Sequence, residues 1–271
     1  MHEQGSIAPE GNANEAAFFV AEPKIFVVSR PEKSDQIPEL LAFFNSSLKD
    51  PQGATPAEHI VEIAGRVCYL SFQNPSAKTT RSYIENLIRQ GHESVLEHVS
   101  WTVVLAGVSR AFTHQLVRHR VGFAYSQLSQ QYVDHRSVRF VIPGEILSQP
   151  RLLARWKRQI LVLRKQYIDL LDGLQNEPRR LNSKENNRFV RSGARSILPN
   201  CVEAIIAVTG NARAFRHFLT LRGSIEGDVE MRRVSAIILA SLKQEAPSIF
   251  FDFVQEDLPD GWPMVRRALS P

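Results

Sequence analysis

Hydrophobic and polar positions along this chain switch between the two-residue period of strands and the longer period of helices. Lys24-Ile25-Phe26-Val27-Val28-Ser29 is a β-branched, apolar run that predicts a strand. Thr55-Pro56-Ala57-Glu58 sets a hydroxyl and a carboxylate at capping-box spacing around a proline, so a helix starts there and runs toward Cys68. A second helix is predicted from about Thr80 to Gln90, closed by Gly91. Val99 to Val108 is apolar with partial alternation and predicts a strand buried in a sheet. Ser109 then caps a helix that carries Gln115 and ends in Arg118-His119-Arg120, after which Gly122 lets the chain turn. Arg139 to Pro143 is a short strand candidate, and residues 145–176 form one long amphipathic helix, or two, because Pro150 interrupts the pattern. Residues 177–187 are polar and predict a connector. Val202 to Val208 predicts a strand, and Asn211 to Leu221 and Asp228 to Gln244 predict helices. Residues 1–22 lack periodicity and predict a mobile tail. No internal repeat is visible, and the order of elements is α+β, not a regular parallel series.

Composition narrows this only modestly. The chain has 271 residues, 43% hydrophobic and 23% charged, which fits one globular domain with tails and insertions. A net charge of +5 with a pI near 9.4 calls for an anionic partner, and a phosphate-bearing small molecule satisfies that as well as nucleic acid does. Cys68 and Cys201 have no metal or redox spacing and read as reduced thiols. No basic-then-apolar leader opens the chain and no apolar run reaches the ~18 residues that span a bilayer, so a soluble, cytoplasmic protein without a membrane partner is expected.

The chemistry concentrates in Arg118-His119-Arg120 and the polar run Tyr125-Ser126-Gln127-Leu128-Ser129-Gln130-Gln131-Tyr132. Two guanidinium forks flanking an imidazole suit phosphate oxygens or an anionic ring, and the hydroxyls and amides behind them suit a nucleotide. A solvated helix end is the plainer reading of the arginines alone. The surrounding blocks tip the balance. His92-Glu93-Ser94-Val95-Leu96-Glu97-His98 lies upstream, Gln115 sits three residues before Arg118, and Ala194-Arg195-Ser196-Ile197-Leu198-Pro199 and Asn211-Ala212-Arg213, leading to Leu221-Arg222, follow downstream. In this order, over residues 60–250, they resemble the flavin-dependent thymidylate synthase family.

That resemblance implies an α+β fold with a central mixed or antiparallel sheet flanked by helices. It places a catalytic domain at 23–256, an added helical subdomain at 145–190, and tails at 1–22 and 257–271. It also implies reductive methylation of uracil C5 in a uridine monophosphate. Methylenetetrahydrofolate supplies the carbon, FAD the hydride and NADPH the electrons that charge the flavin. Arg222 is the implied catalytic residue, contacting the uracil edge and favouring its N3-deprotonated form. With it, Gln115, Arg118, Gln127, Leu128, Ser129, Gln130, Gln131 and Arg195 are implied to bind the nucleotide. Ser94, Arg118, His119, Arg120, Gln127, Asn211, Arg213 and His217 are implied to meet the flavin. Family members are homotetramers with active sites shared between subunits, and the same is expected here.

The residues themselves are compatible with such chemistry. Neither cysteine has the electropositive setting of a reactive thiol, which leaves hydride delivery to a polarised ring as the route. A guanidinium stabilises a developing anion but does not act as a base. Ser129 has no base beside it in sequence, so a substrate hydrogen bond is its expected role rather than covalent attack. Glu97 and His98 are equally readable as polar groups satisfied in the core. The histidines at 92, 98, 114 and 119 lack the spacing of a helical zinc pair, and no metal is expected. Two departures from the family pattern bear on substrate. Eight residues, not seven, separate Arg120 from Ser129, and Gln131 stands where the family carries arginine. Losing that guanidinium forgoes a charge-assisted bond of about 1.5–3 kcal/mol. The longer loop resembles that of the uridylate methylase of polyoxin biosynthesis, which implies room for a ribose 2′-hydroxyl and use of UMP as well as dUMP. The alternatives are a dUMP-specific thymidylate synthase and, more remotely, a basic nucleic-acid-binding protein. The second is disfavoured because Tyr125 and Tyr132 are its stacking candidates near the arginines and no RNA-binding motif accompanies them.

Overall fold

The computed structural model describes residues 17–46, 53–73 and 79–268. Along the chain the elements run β1 (Phe19–Val20), β2 (Lys24–Ser29), α1 (Ile37–Phe43), α2 (Pro56–Tyr69), α3 (Thr80–Arg89), a 3-10 segment (Glu93–His98) and β3 (Ser100–Ala106). Then come α4 (Arg110–Leu116), β4 (Phe123–Gln127), β5 (Phe140–Val141), α5 (Gly144–Leu147), α6 (Pro150–Asn176) and α7 (Ser183–Ala194). The remainder is a 3-10 turn (Arg195–Ile197), β6 (Ile206–Asn211), α8 (Ala212–Arg222), α9 (Val229–Glu245), β7 (Phe253–Asp257) and β8 (Pro263–Arg267). The fold is α+β, as expected. It divides into two compact units, one within Pro23–Val108, Phe112–Gln127 and Ile205–Pro271, the other within Met1–Glu22, Ser109–Ala111 and Leu128–Ala204.

The first unit is built on a four-stranded, wholly antiparallel sheet in the order β2-β3-β6-β4. Its register carries an apolar row across all four strands: Val27 opposes Val103, Val103 opposes Val208, and Val208 opposes Tyr125. Alternation along β3 turns Trp101, Val103 and Leu105 inward, where α2, α3, α8 and α9 contribute Val61, Ile84, Phe215, Phe218, Val234 and Ile238 to one core. Burying residues such as Val103 and Leu105 contributes about 1.5–3 kcal/mol each. The capping box predicted at Thr55 is present: its hydroxyl accepts from the Glu58 amide at 3.3 Å and Glu58 reaches back to the Thr55 amide at 3.0 Å. Gly210, inside β6, is needed because a Cβ there would lie 2.5 Å from the Phe123 ring.

In the second unit α6 and α7 pack through Tyr167, Leu171, Val190 and Ala194. The break at Pro150 is real: α5 ends at Leu147 and α6 starts at the proline. The helical region expected over 145–190 is thus part of a larger unit reaching from Leu128 to Ala204.

Some expectations need correction. Residues 1–16 of the predicted tail lie outside the described residues, but Phe19–Val20 is a strand paired with Phe140–Val141. The expected C-terminal tail from 257 contains β8, which pairs with β7 around Pro259-Asp260-Gly261, with Gly261 at φ +78°. The polar connector ends earlier than predicted, since Asn182 caps α7 by accepting from the Glu185 amide at 3.0 Å. The segment after Gly122, for which no strand is predicted, is the edge strand β4, with Phe123, Tyr125 and Gln127 on its half-buried face.

Candidate active site

The arginine-rich motif does not ride on the last turn of its helix. α4 ends at Leu116 and the chain tightens, with the amides of Arg118 and His119 donating to the carbonyls of Gln115 (3.2 Å) and Leu116 (3.0 Å). The Tyr125 hydroxyl, delivered by the apolar row of the sheet, binds the carbonyls of His119 (2.6 Å) and Leu116 (3.1 Å). It thereby satisfies acceptors that a helix end leaves open. Burial pushes its phenol well above the ordinary tyrosine value, so it remains a donor. Gly122, at φ +74°, completes the turn. A Cβ there would sit 2.8 Å from Asn211 Nδ2 and 2.9 Å from the Ala214 Cβ, so the turn is pressed directly onto the start of α8.

This turn presents Arg118 and Arg120 to solvent and directs His119 inward. His119 Nε2 accepts a hydrogen bond from Arg222 Nε at 2.9 Å. An imidazole nitrogen that accepts from a guanidinium carries no proton, so His119 is neutral with its hydrogen on Nδ1. Burial first, then the charges of Arg222 and His217, hold its pKa below the ordinary histidine value. Its ring makes edge contacts with Phe218 and His217, at centroid distances of 5.3 and 6.2 Å. Arg222, the last residue of α8, is half-buried, and its two terminal nitrogens have no protein partner among the described residues.

His217, which touches the His119 ring, also lines a cavity of about 550 Å³ together with Val121, Gly122, Asn211, Arg213 and Ala214; His119 and Arg222 themselves are not among its lining residues. The size is typical of a small-molecule or cofactor site. Asn211 spends its Oδ1 capping α8, accepting from the Ala214 amide at 2.8 Å. Arg213 is paired with Glu97 at 2.5 Å, both half in solvent. Glu97 is therefore not a core group, and neither is the exposed His98. Arg216, Glu93 and Arg267 also line the cavity and form its polar floor. The Arg216 guanidinium is buried and grips Asp252 at 2.7 and 2.9 Å, donates to the Ile249 carbonyl at 2.6 Å, and meets Glu93 at 3.4 Å. Arg267 joins Asp252 at 2.9 Å. Burial alone would raise the Asp252 pKa, but its bonds to Arg216 and the charges of Arg216 and Arg267 outweigh that and hold it below the usual carboxylate value.

Of the other predicted residues in this unit, Gln115 donates to Asp228 at 3.2 Å, and Asp228 in turn caps α9. Gln127 donates to Thr113 at 3.1 Å. Ser94 is exposed on the 3-10 segment and is not among the residues lining the cavity.

The second unit carries Leu128, Ser129, Gln130, Gln131 and Arg195. All five are half-buried. Ser129 Oγ accepts from the amides of Gln131 (3.2 Å) and Tyr132 (3.3 Å), a turn interaction in which no base takes part. Gln131 is held by Ser192 at 3.0 Å, and α7 also sends Arg188 to the Tyr132 hydroxyl and Arg191 to the Tyr132 carbonyl. Arg195 acts electrostatically on Arg110, whose pKa is lowered by burial and then by this like charge. Two neighbouring guanidiniums of this kind favour a bound anion.

The structure therefore gathers Arg118, His119, Arg120, Asn211, Arg213, His217 and Arg222 around one turn and one helix, as the sequence blocks implied, and puts Arg195 and residues 128–131 in the other unit. Sequence reasoning missed Glu93, Arg216 and Arg267 in the cavity and Arg110 beside Arg195. Asp252 lies 36 positions from Arg216, so no local spacing announced that pair. Among the described residues no cluster of His, Cys, Asp and Glu is arranged to hold a metal ion.

An α+β scaffold with a cavity of this size and a guanidinium whose terminal nitrogens are open suits an anionic small molecule. Residues 53–248 match the family described as thymidylate synthase complementing protein, and the chain belongs to that family. It is 42% identical over 215 residues to the flavin-dependent thymidylate synthase of Mycobacteroides abscessus, covering 78% of this chain and 84% of that protein. It is likewise 42% identical over 221 residues to the flavin-dependent thymidylate synthase of Corynebacterium efficiens, covering 79% and 86% of the two chains. The protein is a methyltransferase enzyme of the flavin-dependent thymidylate synthase type.

Proposed function

We propose that the enzyme methylates C5 of uridine 5′-monophosphates, dUMP and also UMP, with methylenetetrahydrofolate as carbon donor, FAD as flavin and NADPH as reductant, in nucleoside-antibiotic biosynthesis. The observation that carries this reading is Arg222, whose terminal nitrogens are open while Nε is fixed on His119 beside the cavity of Asn211, Arg213 and His217. The residues fit a flavin nucleotide. Arg118 and Arg120 are exposed and, like Arg213, offer charge to a diphosphate, and Gly122 leaves the cavity wall without a side chain. When bound, reduced flavin supplies the hydride that converts the transferred methylene into a methyl group, as C5 loses its proton and tetrahydrofolate departs.

The protein's own part is positioning and charge. A guanidinium at the uracil edge stabilises negative charge at N3 and the adjacent carbonyl oxygens, which makes C5 more nucleophilic. One such donor is worth about 10²–10³ in kcat. Within the second unit Arg110 and Arg195 offer charge to a phosphate, and Ser129, which accepts through Oγ, keeps its hydroxyl proton to donate. The open face of the four-stranded sheet carries Phe26 and Val28, exposed by 53% and 65%. An apolar edge of this kind favours burial against further copies, in keeping with a homotetramer. No helix among the described residues is long and apolar enough to cross a membrane.

A second reading, a synthase confined to dUMP, is favoured by the relatives in Mycobacteroides abscessus and Corynebacterium efficiens, both thymidylate synthases by name. Purification tests the flavin part directly. A yellow protein that releases FAD on denaturation and binds dUMP supports the proposal. A colourless protein with salt-sensitive oligonucleotide binding contradicts it.

A further inference from the structure

Resting on the reading of Arg222 as the group that meets the uracil ring, we infer that neutral His119 is the positioning residue for Arg222, with its Nε2 as the acceptor that aims the guanidinium. Arginine brings five donors and four rotatable side-chain bonds, so a bare Arg222 at the end of α8 would sample many directions. The 2.9 Å bond from Nε to His119 removes that freedom while leaving both terminal nitrogens for the ligand. The acceptor is itself clamped. The His119 carbonyl receives the Tyr125 hydroxyl from β4, its ring is wedged against Phe218, and its backbone amide is bound to the Leu116 carbonyl. A chain of fixed groups therefore runs from the apolar row of the sheet, through Tyr125 and His119, to the guanidinium.

The arrangement works only while the imidazole is neutral. A proton on Nε2 would turn the acceptor into a donor facing a donor and place a second positive charge against Arg222. The charged and titratable groups that face His119 are Arg222 and His217 from α8 and the phenol of Tyr125 from β4. The two that bear on its titration, Arg222 and His217, both oppose protonation, as burial does, which keeps the pairing intact into mildly acidic solution. Activity should therefore be present above the His119 pKa and be lost as pH falls through it.

Two measurements on the full-length holoenzyme test this. Histidine ¹⁵N NMR should show His119 as the Nδ1–H tautomer, and Arg222→Ala should raise its pKa, because a like charge and a bonded donor disappear together. An unchanged His119 titration in R222A would overturn the pairing. In kinetics, His119→Phe should lower kcat/KM for dUMP by about 10–100-fold in the wild-type background and by less than about threefold in R222A, the non-additivity of residues acting as one unit. His119→Gln, which offers an amide oxygen near the position of Nε2, should recover part of the loss and flatten the acid limb of the pH profile. Equal losses in H119F and H119Q, or additive losses in the double variant, would overturn it. The NMR result does not depend on turnover. A shifted titration in a chain that never methylates a uridylate would defeat the proposed function alone, and turnover without the shift would defeat this inference alone.

Discussion

Removing Asp252 probes how the floor of the cavity is held. In Asp252→Ala the Arg216 guanidinium loses both of its carboxylate bonds, at 2.7 and 2.9 Å, while its side chain stays only 2% exposed. Arg267 loses its 2.9 Å partner as well. Deleting one member of a buried pair leaves an uncompensated charge and costs about 3–5 kcal/mol. The Ile249 carbonyl at 2.6 Å and Glu93 at 3.4 Å remain to Arg216, which favours the lower end, about 3 kcal/mol. Urea denaturation followed through the transition of the sheet unit reads this as a lowered midpoint at unchanged slope. Asp252→Asn keeps the shape and one acceptor, so its loss should fall between wild type and alanine. A D252A loss under about 1 kcal/mol at constant slope would refute the claim that this network supports the cavity.

The same carboxylate sets an acid limit. Its folded pKa is lowered, so its contribution is present above the unfolded carboxylate value of about 3.9 and lost as pH falls through the lower folded value; urea titrations over that range should show the loss in wild type and not in D252N. Gly122→Ala should cost about 2–3 kcal/mol by the same urea assay, adding the strain of φ +74° to the displaced cap at Asn211, and should weaken flavin binding. Arg213→Ala should lower FAD affinity about 10–100-fold in a fluorescence titration and leave the unfolding free energy from urea within about 0.5 kcal/mol of wild type, because its pair with Glu97 is half in solvent. Arg222→Ala should reduce kcat about 10²–10³-fold with a smaller effect on FAD affinity, measured by single-turnover methylation and flavin titration.

Much of the scaffold was legible because its signals are local. The Thr55–Glu58 capping box, the apolar run of β2 and the break at Pro150 each act within a few residues, and each lies where the sequence predicted it. The misses have physical causes. In β4 the alternation of Phe123, Tyr125 and Gln127 was present, but its outward positions are the small Ala124 and Ser126, which carry little strand signal, and only pairing with β6 makes it a strand. α7 buries only Val190 and Ala194, too thin a stripe to stand out, though the Asn182–Glu185 cap signal was readable. Pro259-Asp260-Gly261 was a turn signal passed over in the expected tail. For the site, the motif blocks identified the residues but not their partners. The bond from Arg222 to His119 spans 103 positions and depends on the register that brings Tyr125 to the end of an apolar row. Arg110 escaped notice because nothing about a single arginine at a helix start reveals a second guanidinium beside it.

The central claim is best tested by anaerobic turnover with FAD, NADPH and methylenetetrahydrofolate, offering UMP and dUMP separately and reading each product by mass spectrometry. The account predicts that both nucleotides gain one methyl group at C5. Methylation of dUMP alone would contradict the wider substrate range and leave a thymidylate synthase. No methylation of either, in protein that holds FAD, would contradict the proposed reaction itself.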